Sequence, residues 1–262
     1  MWRYLKLFYW FTLLHLKTSL EYRADFFLGV FSLFCIEGSA VTVVWVIMRQ
    51  ISNLNGWNFN EVLLIQGLVF MAFALSAIFT NNLWSIGNGY IRTGGFDRLL
   101  LRPIDPLFHL VVDRFEKNNI GNLLAGAVLV GISSSALGIA WTPFKLFYLG
   151  LSVLTGATIF TGTYLITAVT AFWIINSHPL TFVVFKNVEF VKYPIDIYPS
   201  VIRSMLTWVI PYAFVSFYPA SYILGRDSGL MAWMGVVVAA VLLFIGRRLW
   251  FIGLRRYAST GS

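Results

Sequence analysis

Six apolar stretches, each about as long as a bilayer demands, carry most of this chain, and its charges are confined to the short intervals between them. They are residues 25–48, 61–82, 118–137, 144–175, 199–224 and 229–250. A hydrocarbon core about 30 Å thick takes about 20 helical residues to cross, so all six are long enough. The fourth exceeds that length and is expected to tilt or to extend past the core. Hydrophobic residues make up 58% of the 262 and charged ones 11%, against about 25% charged in a soluble domain. A water-facing fold of this size cannot bury so much apolar surface, whereas lipid accepts it. The expected fold class is all-α integral membrane. An amphipathic interfacial helix at 1–24 precedes a six-helix transmembrane domain at 25–262.

The basic residues set an expected orientation. With the amino terminus inside, the cytoplasmic intervals hold Arg3, Lys6, Lys17, Arg23, Arg92, Arg98, Arg102, Arg114, Lys117, Lys186, Lys192, Arg203, Arg247, Arg248, Arg255 and Arg256. The outer side keeps only Arg49, Lys145 and Arg226 of the 19 cations. The positive-inside rule prefers this arrangement, and an odd number of crossings would destroy the asymmetry. Both termini are therefore expected in the cytoplasm of a multi-pass protein of the cell (inner) membrane. The net charge of +8 then reflects orientation and contact with anionic membrane lipids. No basic run interleaves with aromatics in a polar segment, so no nucleic-acid partner is expected. Outer loops are short, near 49–60, 138–143 and 225–228. The inner intervals, near 83–117 and 176–198, are too small for a catalytic domain. Trp45, Trp57, Trp84, Trp141, Trp208 and Trp250 fall near the boundaries, as an aromatic belt would.

Residues 2–23 are too charged to span. At 100° per residue, Arg3, Lys6, Lys17 and Glu21 fall within an arc of about 60°, and bulky apolar residues fill most of the rest. That pattern fits a helix lying in the inner interface, either as an anchor or as a lever on the first span. No small-residue cleavage site follows it, which argues against a secretory leader.

Residues 91–106 are the most distinctive inner interval. Gly94 and Gly95 permit a sharp turn. A short helix follows, with Asp97 near its positive end and Arg102 near its negative end, and Pro103 and Pro106 stop it. One reading is a compact knob with an exposed Phe and Leu row for a soluble partner. The other is an ordinary capped turn whose leucines pack on the bundle.

Chemistry has little support. There is no Gly-x-x-x-x-Gly-Lys-Ser/Thr phosphate loop and no Gly-x-Ser-x-Gly elbow. His15, His109 and His178 lack second ligands at metal spacing, and Cys35 stands alone. The chain itself is not expected to be an enzyme or to bind a cofactor. Glu37, near the middle of the first span, is costly there. It is either part of a translocation path or a hydrogen-bonded carboxyl joining helices. Asn81 and Asn82 could line the inner mouth of such a path. The threonines of span four, with Gly156 and Gly162, form a small-residue face suited to helix packing, conceivably a dimer seam, more than to a polar pore. The competing functions are a stand-alone ion-coupled carrier, which would carry more buried charge and a two-half repeat, and a membrane-embedded lipid-modifying enzyme, which would cluster acids or histidines.

Gly94, Phe96, Asp97, Leu100, Leu101, Arg102 and Pro103, after a second span, resemble the Gly-x-Phe-Asp-x-x-Leu-Leu-Arg-Pro pattern of permease subunits of ABC-2-type transporters. The runs 193–198 and 210–220 resemble that family's fifth-span region. The resemblance implies the ABC-2 (type V exporter-like) permease fold, an exporter, and a region at 211–228 that could be re-entrant. It implies two partners: a second permease protomer, identical or related, and a separate ATP-binding subunit that holds ATP and Mg. It also implies that Gly95, Phe96, Asp97, Arg98, Leu99, Leu100 and Arg102 form the coupling helix gripped by that ATPase.

Overall fold

The computed structural model describes residues 2–21, 23–51, 53–174, 177–226 and 229–258. Among these, the only strand-like pairing is an isolated bridge between Leu54 and Trp57. Helix α1 (Trp2–Glu21) is followed by α2 (Arg23–Gln50) and α3 (Phe59–Thr80). Two short helices, α4 (Gly95–Leu100) and α5 (Pro106–Val112), precede α6 (Asn119–Ala136) and α7 (Pro143–Val169). The chain ends with α8 (His178–Lys186), α9 (Ser200–Ser204), α10 (Phe217–Ile223) and α11 (Gly229–Arg256). Helices α2, α3, α6, α7 and α11 are each long and apolar enough to cross a bilayer. They coincide with five of the expected spans, and α11 runs one to two turns longer than expected. The end of the fourth expected span at residue 175 lies outside the described residues, as do residues 227–228 of the last outer loop.

Local chemistry sets the helix starts. Asn58 caps α3 by accepting from the Glu61 amide at 3.0 Å, while the Glu61 carboxylate accepts from the Asn58 amide at 2.8 Å. This capping box satisfies two donors that would otherwise be orphaned at the helix start. Thr142 caps α7, and Pro143 at the first helical position needs no amide partner.

Small residues hold the long helices together. A Cβ built on Gly67 would lie 2.9 Å from the Gly126 carbonyl oxygen, and one on Gly126 would lie 2.8 Å from that of Gly67. Helices α3 and α6, which run antiparallel, therefore touch backbone to backbone. Along α7, Gly156 meets Ala72 of α3 and Val215, Gly162 meets Leu242 of α11, and Thr161 hydrogen-bonds Ser76 at 3.0 Å. The small-residue face of span four thus packs within the protomer's own bundle, as a helix-packing face was expected to.

The fifth crossing is not where hydropathy puts it. Residues 178–197 run antiparallel to α3 along its whole length. The His178 ring lies 5.9 Å from Trp84, Phe185 lies 5.6 Å from Phe73, the Lys192 ammonium lies 5.3 Å from the Phe70 ring, and Asp196 bonds Trp57. This crossing combines α8 with 3-10 turns at Asn187–Lys192 and Ile195–Ile197. At about 1.5 Å per α residue and 2.0 Å per 3-10 residue it covers about 30 Å. Residues 178–197, expected at the inner surface, therefore run the length of the bundle beside α3.

The stretch expected to be the fifth span folds back on itself as a hairpin. Its halves, Ser200–Val209 and Tyr212–Ile223, bend by 78° at Pro211, which lacks the amide that would continue the helix. Both ends lie at the same end of the bundle. Arg203 donates to the Asp196 carbonyl at 3.1 Å, and Lys145, at the start of α7, donates to the Ile223 carbonyl at 3.1 Å. The tip reaches halfway down α7, where Tyr212 packs on Phe160 at 4.8 Å. Irregular backbone at membrane depth must be shielded by protein. Tyr212 to Ser216 are all buried, and Ser216 donates to the Val191 carbonyl at 2.8 Å. Among the described residues the crossings are α2, α3, α6, α7, residues 178–197 and α11.

Helix α1 lies across the other end of the bundle, which also carries α4. Its Tyr4, Phe8, Phe11 and His15, one face at helical spacing, meet Phe108, Phe79, His109 and Phe115. Trp2, Leu5, Tyr9, Trp10 and Leu14 point away from the protein. Two expected belt residues are core residues instead: Trp57 is buried against Phe217, and Trp250 against Phe96 and Phe172.

Candidate functional site

The α4 knob is built from a left-handed turn. Gly94 takes φ +68° as the residue before α4, a conformation that a side chain would strain. Its carbonyl accepts from the Asp97 amide at 3.2 Å. Phe96 is then driven inward. It is fully buried, with ring centroids 5.4 Å from Phe172 at the end of α7, 6.1 Å from Trp250 on α11 and 4.8 Å from Tyr257. The expectation of an exposed phenylalanine is corrected: Phe96 is the root of the knob. Leu99 is buried beside it. Truncating a buried phenylalanine of this kind costs about 3–5 kcal/mol.

Two charges of the knob, Asp97 and Arg102, are engaged within the chain. Asp97 accepts from the Tyr257 hydroxyl at 2.9 Å, just beyond α11. Burial, together with this bond, pushes the Tyr257 hydroxyl up to about 12. Arg102 reaches back to His109 Nε2 on α5. Asp105 fixes α5 by accepting from the Phe108 amide at 3.0 Å. The outward face is Arg98, Leu100 and Leu101. Leu100 is 43% exposed and Leu101 85%, leaving an apolar ridge beyond the bundle. Gly95 is buried at the base, where an added Cβ would lie 3.5 Å from the Gly89 carbonyl oxygen.

Behind the knob two hollows lie between α3 and the fifth crossing. The larger, about 350 Å³, is bordered by Thr80, Asn81 and Trp84 near the α4 end and by Phe73 and Phe185 deeper in. Asn81 lines it while donating to Glu116 at 2.8 Å. Asn82 does not. It is buried and donates to the Leu110 carbonyl at 2.9 Å, fastening α3 to α5. The smaller hollow, about 80 Å³, shares Phe73 and Phe185 and holds Glu37, Glu189 and Lys192. Of the three path residues expected from sequence, Glu37 and Asn81 therefore border adjoining cavities, and Asn82 is a structural bond.

Sequence reasoning missed several residues. Leu101 stands in the leucine row read from the sequence, but that it is the most exposed of the three depends on the fold. Tyr257 and His109 carry no signal until the fold brings them to the knob. Lys192 was counted at the inner surface.

At the far end, Arg226 Nη2 reaches both Glu61 carboxylate oxygens, at 2.7 and 2.8 Å, and the Gly56 carbonyl at 2.9 Å, with its guanidinium 4.2 Å above the Trp57 ring. This clasp ties the hairpin to the start of α3.

Among curated proteins and solved structures, nothing matches this chain. The sequence model described as ABC-2 family transporter protein matches residues 34–261, which takes in all the crossings but the start of α2, and the α4 knob and the hairpin as well. The chain belongs to the ABC-2 transporter family and is a membrane-spanning permease component of an ABC transporter.

Proposed function

We propose that this permease works as an exporter driven by separate ATP-binding subunits, which hold ATP and Mg and grip the chain through α4. The observation that carries this reading is the double character of α4. Its inner face is rooted by Phe96 among Phe172, Trp250 and Tyr257, and its outer face offers Arg98, Leu100 and Leu101. A rigid element that is buried on one side and apolar on the other transmits a push. When the ATP-binding subunits close, Leu100 and Leu101 supply the contact. Phe96 and Leu99 pass the movement to the ends of α7 and α11. The Asp97–Tyr257 and Arg102–His109 contacts keep the knob from pivoting.

The cation distribution supports a cytoplasmic location for α4. Moving Arg203 to the far end, and Lys186 and Lys192 into the fifth crossing, leaves thirteen of the 19 cations at the α4 end and four at the other. That bias still obeys the positive-inside rule. On this reading both termini, α1 and α4 face the cytoplasm at the cell membrane, and the hairpin faces outside. Outward transport is the direction that the ABC-2 resemblance implies. Helix α2 leaves Phe27, Leu28, Phe31 and Ile36 exposed, an apolar face open to lipid and to a second permease protomer, identical or related.

The test is co-purification with a co-encoded ATP-binding subunit. Leu101→Asp should abolish association. Val201→Asp, an equally exposed site at the far end, should leave it intact. Equal retention in both variants would remove α4 from the docking surface.

A further inference from the structure

Glu37 sits halfway along α2, and Phe70 halfway along α3. Between them lies Lys192 of the fifth crossing, its ammonium 3.2 Å from Glu189 and 3.7 Å from Glu37. It stands 5.3 Å from the centre of the Phe70 ring. Glu37 and Lys192 are 14% and 13% exposed. Two carboxylates and one ammonium leave the group one negative charge in excess; Glu189 is 60% exposed, so the cost of an uncompensated charge falls on the sheltered Glu37 carboxylate. The distribution is uneven as well. The ammonium is nearer Glu189, and Glu37 Oε2 is buried with no hydrogen-bond donor. An orphaned buried acceptor of this kind calls for a physical explanation.

The surrounding space has the right character for a cation. The hollow of about 80 Å³ is walled by Val69, Phe70, Phe73 and Phe185. Rings facing a cation attract it through their quadrupole, more so when water is excluded. A metal ion would want several oxygen ligands, and the lining offers only the two carboxylates. The site already accepts an ammonium, that of Lys192, beside an aromatic face. The adjoining hollow of about 350 Å³, reached past Phe73 and Phe185, is largely apolar and leads toward the α4 end. Head and tail of an amphiphile would fit the two hollows in turn.

We propose that the cavity between Glu37, Glu189 and Lys192 binds the ammonium group of an amphipathic cationic cargo. The cargo's ammonium takes the donor place open at Glu37 and balances the excess charge, and Lys192 swings toward Glu189. This assignment rests on the transport function proposed above.

The test is equilibrium binding of radiolabelled decylammonium, whose N–H groups can donate to Glu37, to the purified chain in neutral maltoside micelles at about pH 8, where free carboxylates are ionised and a primary amine is still protonated. Protein-free micelles give the partition baseline. Saturable binding is expected, with Glu37→Gln weakening it about tenfold or more. Lys192→Met should strengthen it several-fold, because it removes the competing ammonium and leaves both acids. A purely structural ion pair would make both variants weaker, and that result overturns the proposal. So would binding no greater than the micelle baseline, or saturable uptake of radioactive sodium in place of the probe. The assay contains no ATPase. Failure here leaves docking through α4 standing, and failure of docking leaves this binding intact.

Discussion

The indole Nε1–H of Trp57 donates to Asp196 Oδ2 at 2.9 Å. This bond joins the loop before α3 to the end of the fifth crossing, and it fixes the topology: residue 196 lies at the end of the bundle opposite α4. In a Cys35→Ala background, Ser200→Cys should react with a membrane-impermeant thiol reagent from the same side as Asn55→Cys and from the side opposite Leu101→Cys. Labelling of positions 200 and 101 from one side would restore 199–224 as a span.

The Glu61–Arg226 clasp should be worth more than an ordinary surface pair. Glu61 is nearly buried, caps α3 and accepts from Arg226 with both oxygens. Arg226→Ala is expected to lower stability by about 1–3 kcal/mol, or roughly 2–4 °C in melting temperature per kcal/mol for a chain of this size. Arg226→Lys should recover only part of this, because a point charge replaces the planar group over Trp57. Thermal unfolding in detergent measures both.

The α3–α6 contact gives a paired prediction. Gly67→Ala places a methyl 2.9 Å from the Gly126 carbonyl oxygen, where backbone must shift, and should cost about 1–3 kcal/mol through overpacking. Gly131→Ala, on α6 with nothing within 4 Å, should be neutral or stabilising by up to about 1 kcal/mol. Yield and melting temperature of the two variants should diverge.

Tyr257→Phe removes the hydroxyl that Asp97 accepts. The knob then remains folded around Phe96 but loses a brace, so ATP turnover of the assembled transporter should fall several-fold while the melting temperature changes little. The bond has a definite pH window. The hydroxyl is held at about 12, above its ordinary value near 10. Its contribution is fully present below about pH 10 and is lost as pH rises toward about 12. Turnover in the wild type should therefore show no Tyr257-dependent change between about pH 7 and 9.

The long helices were legible because lipid imposes one rule on them: about 20 apolar residues per crossing. Helices α2, α3, α6, α7 and α11 obey it. The fifth crossing escaped because Lys186, Glu189, Lys192, Pro194 and Asp196 make it look like an interval between spans. Lys192 pairs with Glu37 and Asp196 accepts from the Trp57 indole, partners more than a hundred positions away. The hairpin deceived for the opposite reason. It is apolar enough to span, yet Pro211 turns it back, and only the contacts of Arg203 and Ile223 show that both ends share a side. The knob was legible as a turn, helix and stop through Gly94, Asp97 and Pro103. Which of its faces is buried depends on Phe172, Trp250 and Tyr257, and no local pattern encodes that. Span four's glycines announced close packing without naming the neighbour.

The most direct test of the account is a thiol cross-link between α4 and the ATP-binding subunit. In a Cys35→Ala background, Leu101→Cys should cross-link to that subunit in the assembled transporter, with a yield that changes on adding ATP. Val201→Cys should give no cross-link. A product at position 201, or none at 101 in a complex that still hydrolyses ATP, would contradict coupling through α4.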